Sequence, residues 1–508
     1  MIGRRRFLEV LAALGVSQTL PSRATDRKVS FDSYPFTLGV ASGYPSPESV
    51  VLWTRLTGDL APMAIPVRWE VFAEESLRTA VASGQALADP LWAHSVHVEA
   101  QGLEPERWYW YRFSAGGAQS PVGRTRTAPR AETAPPRLRF AFASCQQYEQ
   151  GYYGAYRHVV ADAPDLVAFL GDYIYESSWG RQLVRSHASP ETYTLADYRA
   201  RYALYRSDPD LQAAHAACPW IVTWDDHEVD NDYADDRPED GMEHDAFLER
   251  RAAAYRAFYE HMPLPPRMRP EGPNMRIYTH LDWGALARFY VLDDRQYRSW
   301  HACPRPKRRG GSNTIDIERC PQLPAPGRSM LGRRQEQWLD RQLQESRAAW
   351  NVIAQQTRMA QFDYKPGPGR SAWTDAWDGY PAARQRLLKS AGRVRNPVVI
   401  GGDVHTFFAN QLKLDFDDAK APVVASEFVT TSITSESWAQ ERLNQYLPDN
   451  PHILLAESRS RGYTRVDVTP KRFQVDLRGM ETVQRRDAPC STLASFVVDD
   501  GIPGPVRA

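Results

Sequence analysis

Runs of consecutive apolar residues, each followed by a polar turn, recur through the middle of the chain. The clearest run is residues 166–170, five apolar positions in succession that Gly171 ends. A strand with both faces buried has no polar side, so an unbroken apolar run of this length predicts a strand inside a sheet. The same pattern predicts strands at residues 138–143, 220–224, 287–292, 350–355 and 397–400.

The segments between these runs indicate helices, at residues 152–160, 244–261, 333–346 and 382–389. Strands that alternate with helices predict an α/β fold, a layered α/β/α domain over residues 137–480. Residues 463–468 and 472–477 are expected to return as a hairpin of edge strands. A C-terminal tail, residues 481–508, ends in a Pro- and Gly-rich stretch, and the sequence leaves open whether this tail covers the cleft.

Residues 35–128 carry a different pattern, short strand-like runs separated by Gly, Pro and Ser turns. The runs at 50–53, 67–71 and 108–113 have the spacing of a small β-sandwich of the immunoglobulin or fibronectin type. No nucleophile lies beside a base and no ligand cluster occurs within them, so this all-β domain is expected to be structural. Residues 130–137 are predicted to link it to the α/β domain.

The first residues resemble an export signal. Arg4 and Arg5 precede Phe7 in a twin-arginine pattern, a mildly apolar run continues to Leu20, and small residues follow. Residues 1–24 are therefore expected to be a twin-arginine signal peptide, read by the twin-arginine export machinery. The resemblance implies a periplasmic or secreted protein that crosses the membrane already folded.

Composition then narrows the function classes. The 508 residues carry 62 basic and 62 acidic side chains, and a neutral chain lacks the basic surface that a nucleic acid complex needs. After the first residues no apolar stretch is long enough for a transmembrane segment. An exported protein meets an oxidising compartment, where Cys303 and Cys320, on either side of a basic Gly-rich loop, are candidates for a disulfide. Cys218 and Cys490 have no evident partner.

Polar side chains follow four of the predicted strands at the point where each strand ends. The clusters are Ser144-Cys145, Gly171-Asp172-x-x-Tyr175, Asp225-Asp226-His227-Glu228 and Gly402-Asp403-Val404-His405. Ligands of open α/β sheets bind at the carboxyl ends of the strands, so these clusters are expected to converge. A thiol, carboxylates, a phenol and imidazoles together indicate a metal centre better than a nucleophilic triad.

Taken singly, each cluster has a plainer structural interpretation. Asp172 would cap the next element, Cys145 would be a buried apolar cysteine, and His405 would be a core histidine. Four such clusters, all at strand ends, favour the metal centre over these interpretations. Of the two tyrosines beside Asp172, Tyr175 is predicted to face the centre and Tyr173 to point away.

The motifs resemble those of the metallophosphoesterase superfamily, and more closely those of PhoD-type alkaline phosphatases. Besides the four clusters, the resemblance rests on Val40-Ala41-Ser42-Gly43, Leu52-Trp53-Thr54-Arg55 and Leu292-Asp293-x-Arg295-x-Tyr297-Arg298. It implies an alkaline phosphatase and phosphodiesterase that hydrolyses phosphomonoesters and phosphodiesters by attack of a metal-bound hydroxide. A phospholipase D-like or nucleotide phosphodiesterase on the same fold is the alternative.

The resemblance also implies the ligands of two unlike ions. The implied Fe(III) ligands are Cys145, Asp172, Tyr175 and His405. Asp172 would bridge to Ca(II), which would also take Asp403 and one oxygen from residues 225–231. Both Asp226 and Asn231 are candidates for that oxygen, and Asn231 is slightly favoured because the superfamily presents an asparagine at this site.

Other roles are left open at this point. His227 either orients Asp403 or the bound phosphate, or acts as general acid to the leaving oxygen. Arg358 is predicted to bind the substrate phosphate and Arg295 is a second candidate, although each arginine fits a structural ion pair equally well. A zinc hydrolase and a metal-free binding protein are the competing classes.

Overall fold

The structure is a computed structural model that describes residues 30–239, 241–305 and 310–508. The predicted signal peptide, residues 1–24, lies outside the described residues. In chain order the strands are β1 Val40–Gly43, β2 Ser49–Arg55, β3 Ile65–Phe72, β4 Ala80–Ala88, β5 Ser95–Gln101, β6 Trp108–Ala115, β7 Ala118–Gln119, β8 Gly123–Arg126, β9 Leu138–Ala143, β10 Leu166–Leu170, β11 Trp220–Thr223, β12 Thr279–Trp283, β13 Ala287–Val291, β14 Thr314–Asp316, β15 Trp350–Ala354, β16 Ser371–Trp373, β17 Pro397–Gly401, β18 Phe407–Lys413, β19 Val423–Val429, β20 Ile453–Glu457, β21 Gly462–Val468, β22 Arg472–Met480, β23 Cys490–Asp499 and β24 Val506–Arg507. The α-helices are Ala155–Ala161, Leu195–Arg206, Pro209–Ala217, His244–His261, Gly332–Gln344, Pro381–Ala391 and Gln440–Tyr446.

Two large mixed sheets carry the predicted strands. The first sheet has the order β24-β23-β22-β21-β9-β10-β11-β1-β2-β5, and the second has the order β12-β13-β15-β17-β19-β18-β20. Strands β9, β10 and β11 run parallel in the first sheet, as β13, β15, β17 and β19 do in the second. The α/β fold class is confirmed, and every strand predicted from an apolar run is present.

The two sheets pack face to face through aromatic side chains. Phe140 of β9 meets Phe289 of β13 at 5.1 Å between ring centroids, and Phe473 of β22 meets Trp350 of β15 at 5.5 Å. Helices Gly332–Gln344 and Pro381–Ala391 cover the outer face of the second sheet. The predicted layered α/β/α domain thus contains two facing sheets, a number that the sequence did not predict because an apolar run does not reveal which sheet its strand will join.

The N-terminal strands form a small sandwich that is joined to the first sheet. One layer has the order β4-β3-β6-β7, with β8 on β6, while β1, β2 and β5 continue the first sheet beyond β11. The junction is the parallel pair Gly43 and Trp220. A Cβ on Gly43 would lie 2.6 Å from the carbonyl oxygens of Trp220 and Pro263, so only glycine permits this approach.

The C-terminal tail forms edge strands of the first sheet and does not cover the cleft. Strand β23 pairs with β22, and β24 pairs with β23. Ala494, Phe496 and Val498 are buried at every second position, which is the period of a strand with one face on the core. None of the described tail residues lines the central cavity, and the two-residue period was the signal for the edge strand.

The predicted disulfide is confirmed. Cys303 and Cys320 are bonded, with their Cα atoms 6.0 Å apart. Cys145, Cys218 and Cys490 are free thiols. Among the described helices, none combines the length and the apolar character that crossing a membrane requires.

Candidate metal centre

Four of the predicted ligand positions have backbone in the left-handed region. The φ angles are +58° at Cys145, +58° at Asp172, +64° at Asp403 and +52° at His405. Such backbone costs a non-glycine residue on the order of 1–3 kcal/mol and occurs mainly where function demands it. Each of these turns follows a buried parallel strand, so the strands fix where the strained residues point.

Hydrogen bonds hold the turns of the two sheets against one another. The Cys145 N–H donates to the Gly171 carbonyl at 3.1 Å, which joins the turns after β9 and β10. The Ile433 N–H donates to the Ser144 carbonyl at 3.0 Å and thereby ties the segment after β19 to the first sheet. A Cβ on Gly402 would lie 2.3 Å from Ser144 Oγ, so glycine is required at this contact.

A mixed set of donors meets at this junction. The Cys145 Sγ, a carboxylate oxygen of Asp172 and a ring nitrogen of His405 lie within 4.8 Å of one another. The Tyr175 hydroxyl lies 3.0 Å from Asp172 Oδ2 and 3.2 Å from His405 Nε2. The structure therefore brings together all four residues that the sequence predicted as ligands of one ion.

The two tyrosines separate as predicted. Tyr173 turns away into the core, where its hydroxyl lies 2.9 Å from His215 Nε2. Tyr175 faces the junction, and its ring packs 4.1 Å from the ring of His227. Both side chains are fully buried. Tyr175, three residues after Asp172 on the turn that follows β10, is therefore the tyrosine that lies beside Asp172.

Protonation at this junction reflects burial. Burial and the neighbouring Asp172 carboxylate raise the pKa of the Cys145 thiol well above its ordinary value. Burial likewise raises the pKa of Asp172 well above the usual carboxyl range. The pKa of His405 falls to about 3 through burial, with a contribution from Arg461, and its Nδ1 donates to the Glu436 carbonyl at 2.6 Å. His405 is therefore a neutral imidazole with Nε2 directed at Tyr175.

A second set of oxygen atoms lies beside the first and shares Asp172. Donor atoms of Asp172, Asp226 and His227 lie within 4.8 Å of one another. Asp403 is held by the Thr357 hydroxyl, which donates to its Oδ2 at 2.5 Å. Burial raises the pKa of Asp403 to about 6. The arrangement presents several carboxylate oxygens on one side of Asp172.

Asp226 and Asn231 are placed differently. Asp226 Oδ2 accepts the Asp232 N–H at 2.7 Å, whereas Oδ1 is buried, accepts no hydrogen bond from the described residues and lies 3.5 Å from a guanidinium nitrogen of Arg295. Asn231 lies on the cavity wall, with its side-chain nitrogen donating to Glu239 at 2.7 Å. The geometry favours Asp226 as the oxygen ligand, in contrast to the slight preference for Asn231 that the resemblance suggested.

Glu228 holds two of the turns in place, a role the sequence reasoning did not assign. Its carboxylate accepts the N–H groups of Asp172 at 3.1 Å, Tyr173 at 2.5 Å and Asp225 at 2.8 Å. Because the carboxylate bonds both turns, the segments after β10 and β11 cannot move independently. The sequence did contain a signal for this role. Glu228 is an acidic residue two positions after Asp226, in a polar stretch whose other residues were considered as ligands.

His227 is oriented by Glu176. Its Nδ1 lies 2.7 Å from Glu176 Oε2, which leaves Nε2 for the cavity. Burial alone would lower the pKa of His227, but the carboxylates of Glu176 and Asp226 raise it well above its ordinary value. These carboxylates favour the protonated form of the imidazole at the edge of the cluster.

Both candidate phosphate-binding arginines are structural instead. Arg358 is fully buried, donates to the Tyr364 hydroxyl at 3.1 Å and stacks over Phe362, with no contact to the cavity. Tyr364, which accepts this hydrogen bond, lines the cavity, whereas Arg358 is not among the described residues that line it. Arg295 is also fully buried and pairs with Asp225 and Asp375. An arginine after a strand end looks the same in sequence whether it faces the cavity or the core.

Ser435 is the second functional position that the sequence reasoning missed. Its hydroxyl lies 2.8 Å from the Tyr175 hydroxyl and 2.9 Å from the Cys145 carbonyl oxygen, in a fully buried position. The residue belongs to a Ser- and Thr-rich segment after β19, and no apolar run marks that strand because Ser426 and Glu427 interrupt it. This segment lines the junction of the two sheets.

The residues fit metal ions. Oδ1 of Asp172 is buried and accepts no hydrogen bond from the described residues, and an unpaired buried carboxylate oxygen is costly unless a cation neutralises it. The raised pKa values of Asp172 and Asp403 point to the same shortage of positive charge. Thiol, phenol and imidazole suit a transition metal, while the carboxylate set suits a hard ion.

The cluster forms the floor of a cavity of about 680 Å³. Acidic residues line its floor and one side, namely Asp172, Glu176, Glu191, Asp226, Asp230, Asp232, Glu239 and Asp403. Aromatic side chains line the remainder, namely Trp179, Tyr364, Trp373 and Trp438. A cavity of this size holds a small organic molecule as well as the ions on its floor.

Comparison with known proteins agrees with this geometry. The family model for the PhoD-like phosphatase matches residues 140–477, and the model for the PhoD-like phosphatase N-terminal domain matches residues 22–129. Alkaline phosphatase D of Bacillus subtilis (strain 168) is 46% identical over 517 residues, covering 97% of this chain and 87% of that protein. The solved structure of PhoD superposes with a TM-score of 0.89 at 46% identity, covering 94% of this chain and 93% of that one. The chain therefore belongs to the PhoD-like phosphatase family of phosphoric ester hydrolases.

Proposed function

We propose that this chain is an exported phosphatase that hydrolyses phosphomonoesters and phosphodiesters with Fe(III) and Ca(II) at the junction of its two sheets. One observation carries the proposal above the others. Residues 145, 172, 175 and 405, which come from turns of both sheets, direct a thiol, a carboxylate, a phenol and an imidazole at one point, and an oxygen-rich set shares Asp172 beside it. Such a pair of unlike donor sets suits two unlike ions.

The ligands follow from the donor types. Cys145, Tyr175 and His405 would hold Fe(III), and Asp172 would bridge to Ca(II). Asp403 and Asp226 would complete the calcium side, where Asp226 Oδ1 accepts no hydrogen bond from the described residues and lies 3.5 Å from the Arg295 guanidinium. Asn231, which also lines the cavity, would be the alternative source of a calcium-binding oxygen. Asp172 is thus the one side chain that both ions would need.

The residues of this chain divide the remaining tasks among them. When bound, such ions supply an activated water and neutralise charge on the phosphoryl oxygens. His227, with Nδ1 held by Glu176, is placed to give its proton to the departing alcohol oxygen. Trp179 packs along His405, with ring centroids 5.9 Å apart and the rings 8° from parallel, and shields the floor from bulk water.

Export is supported by the N-terminal pattern and by the disulfide. Twin-arginine signals direct folded proteins out of the cytoplasm, which suits a protein whose buried ligands must take up their ions before export. The Cys303–Cys320 bond is typical of an oxidising compartment. Neither feature depends on the identity of the substrate.

The test combines metal analysis with a substrate panel. The full chain, purified with its signal peptide cleaved from an exporting host, is assayed for iron and calcium and for turnover of phosphomonoesters and phosphodiesters. We expect iron and calcium in the protein and hydrolysis of both ester types, with activity lost in chelator and restored by added calcium. Protein without iron whose turnover survives chelation contradicts the proposal, as does activity restored by zinc alone.

A further inference from the structure

The cavity is larger than the reaction needs. About 680 Å³ lies within the range of pockets that hold a whole small molecule, and a phosphoryl group fills only a minor part of it. The remaining space must be filled by the alcohol half of the substrate. Its lining therefore carries information about which alcohol that is.

One side of the cavity is an aromatic wall, made by Trp179, Tyr364, Trp373 and Trp438. All four side chains are half-buried, so part of each ring faces the cavity. They come from four separate segments, which means that no single element requires an aromatic surface for its own packing. Tryptophan faces left open to solvent in a concave site are typical of binding surfaces.

The wall is held rigidly from behind. Tyr364 and Trp438 pack against one another with ring centroids 5.7 Å apart, and both contact Phe362 in the core. Trp373 ends strand β16, which pairs with β14. The Tyr364 hydroxyl accepts a hydrogen bond from the buried Arg358. A rigid aromatic surface binds a flat ring with little loss of side-chain entropy.

A positive charge stands beside the wall. Among the described residues that line the cavity, Arg442 is the one arginine or lysine. Its Nε donates to the Tyr446 hydroxyl at 3.2 Å, and no carboxylate among the described residues forms an ion pair with it. The acidic residues of the lining are matched to cations. Arg442 is therefore available for an anionic group on the substrate.

We propose that the aromatic wall and Arg442 form a subsite for the alcohol half of the ester, and that this half carries a flat aromatic ring and a second anionic group. A nucleoside that bears an additional phosphate has this chemistry. The inference rests on the proposed phosphatase function and adds the substrate class to it. Stacking of a base on an aromatic side chain accounts for roughly a tenfold or larger effect on affinity when that side chain is removed.

The experiment compares two phosphodiesters that differ in the alcohol. One is a dinucleotide with a 5′-terminal phosphate, and the other is bis-glycerol phosphate. The ratio of their kcat/KM values is measured for the holoenzyme and for Trp373→Ala and Arg442→Ala, with Arg459→Ala as a control on an arginine that pairs with Glu457 outside the cavity.

We expect the wild-type enzyme and the control to prefer the dinucleotide, and Trp373→Ala to lower that preference by about tenfold. Arg442→Ala should also lower it, because the terminal phosphate of the dinucleotide loses its cationic partner. Equal kcat/KM values for the two diesters, or a preference that both variants retain, would overturn the subsite.

Failure of the underlying function gives a different result. A metal-loaded enzyme that hydrolyses neither diester contradicts the phosphatase proposal itself. The subsite is then tested by measuring dinucleotide binding to the Asp172→Asn variant. Quenching of tryptophan fluorescence reports the binding. Dinucleotide binding that weakens about tenfold when Trp373→Ala or Arg442→Ala is added supports the subsite, and the absence of quenching in the Asp172→Asn variant removes it.

Discussion

The Tyr175 hydroxyl lies 3.2 Å from Nε2 of His405, although 230 residues separate them in the chain. Tyr175 follows β10 in the first sheet and His405 follows β17 in the second, so this contact spans the junction of the two sheets. The centre is thus assembled only when both sheets have packed. This explains why neither motif, read alone, distinguishes a metal site from an ordinary turn.

Substitution of Tyr175 and of Tyr173 distinguishes a metal ligand from a tyrosine of the core. Tyr175→Phe should abolish the visible charge-transfer band that a tyrosinate bound to Fe(III) produces, because the phenol oxygen is lost. Tyr173→Phe is the matched control, which loses the contact with His215 and about 1 kcal/mol of stability but keeps the band. Absorption spectra of the two purified variants decide between them. A band that survives in Tyr175→Phe contradicts the ligand assignment.

Ser435 is expected to tune the same band. Its hydroxyl, 2.8 Å from the Tyr175 oxygen, withdraws electron density from a bound tyrosinate by hydrogen bonding. Ser435→Ala should therefore move the charge-transfer band to longer wavelength while the iron content is unchanged. Ser437→Ala, which removes a hydroxyl that lies 3.0 Å from the Thr406 hydroxyl, serves as the control. Coincident spectra for the two variants would remove Ser435 from the centre.

The role of His227 is decided by the leaving group. If its imidazole protonates the departing oxygen, His227→Ala should lose about 10²–10⁴-fold in kcat with an alkyl ester, whose alcohol needs the proton. The loss with a 4-nitrophenyl ester should be about tenfold at most, because that phenolate departs unprotonated. Steady-state rates on the two esters test this. Similar losses on both would show that His227 only orients its neighbours.

The sequence predicted those residues of the centre that follow recognisable strands. Cys145, Asp172 and His405 stand directly after long apolar runs, and a buried parallel strand fixes both its own position and the edge where it ends. Ser435 follows β19, where the buried Glu427 accepts the backbone N–H groups of Met359 and Ala360. A buried charge with local partners breaks the apolar pattern, so that strand could not be recognised.

The surroundings of Arg358 and the number of sheets depend on tertiary packing, which the pattern of apolar and polar residues does not reveal. Arg358 was predicted to bind phosphate because it follows a strand, yet the Phe362 and Tyr364 rings cover it. The number of sheets was equally hidden, since Phe140 and Phe289 are core residues in either arrangement. Charge at a strand end and apolar character inside a strand are visible in sequence, whereas the neighbour on the facing layer is not.

A buried histidine remote from the centre should make stability depend on pH. Burial lowers the pKa of His97 to about 4, and its ring stacks on Tyr259 at 4.2 Å. Because the unfolded value is 6.5, the unfolded chain binds more protons between pH 6.5 and 4, and the stability present above pH 6.5 is lost as the pH falls through that window. His97→Gln should reduce this loss by about 3 kcal/mol at pH 4. Urea unfolding of both chains across the window measures it, and parallel pH profiles would contradict it.

The most direct test of the central claim is the iron content of two cysteine variants, measured together with phosphodiester turnover. Cys145 and Cys218 are both buried free thiols, but only Cys145 lies at the junction of the sheets. We expect Cys218→Ala to retain the iron and the activity of the wild-type chain. Cys145→Ala should keep the fold, lose the iron and lose about 10³-fold or more in turnover. Iron and activity that persist in Cys145→Ala would contradict the assignment of this junction as the catalytic metal centre.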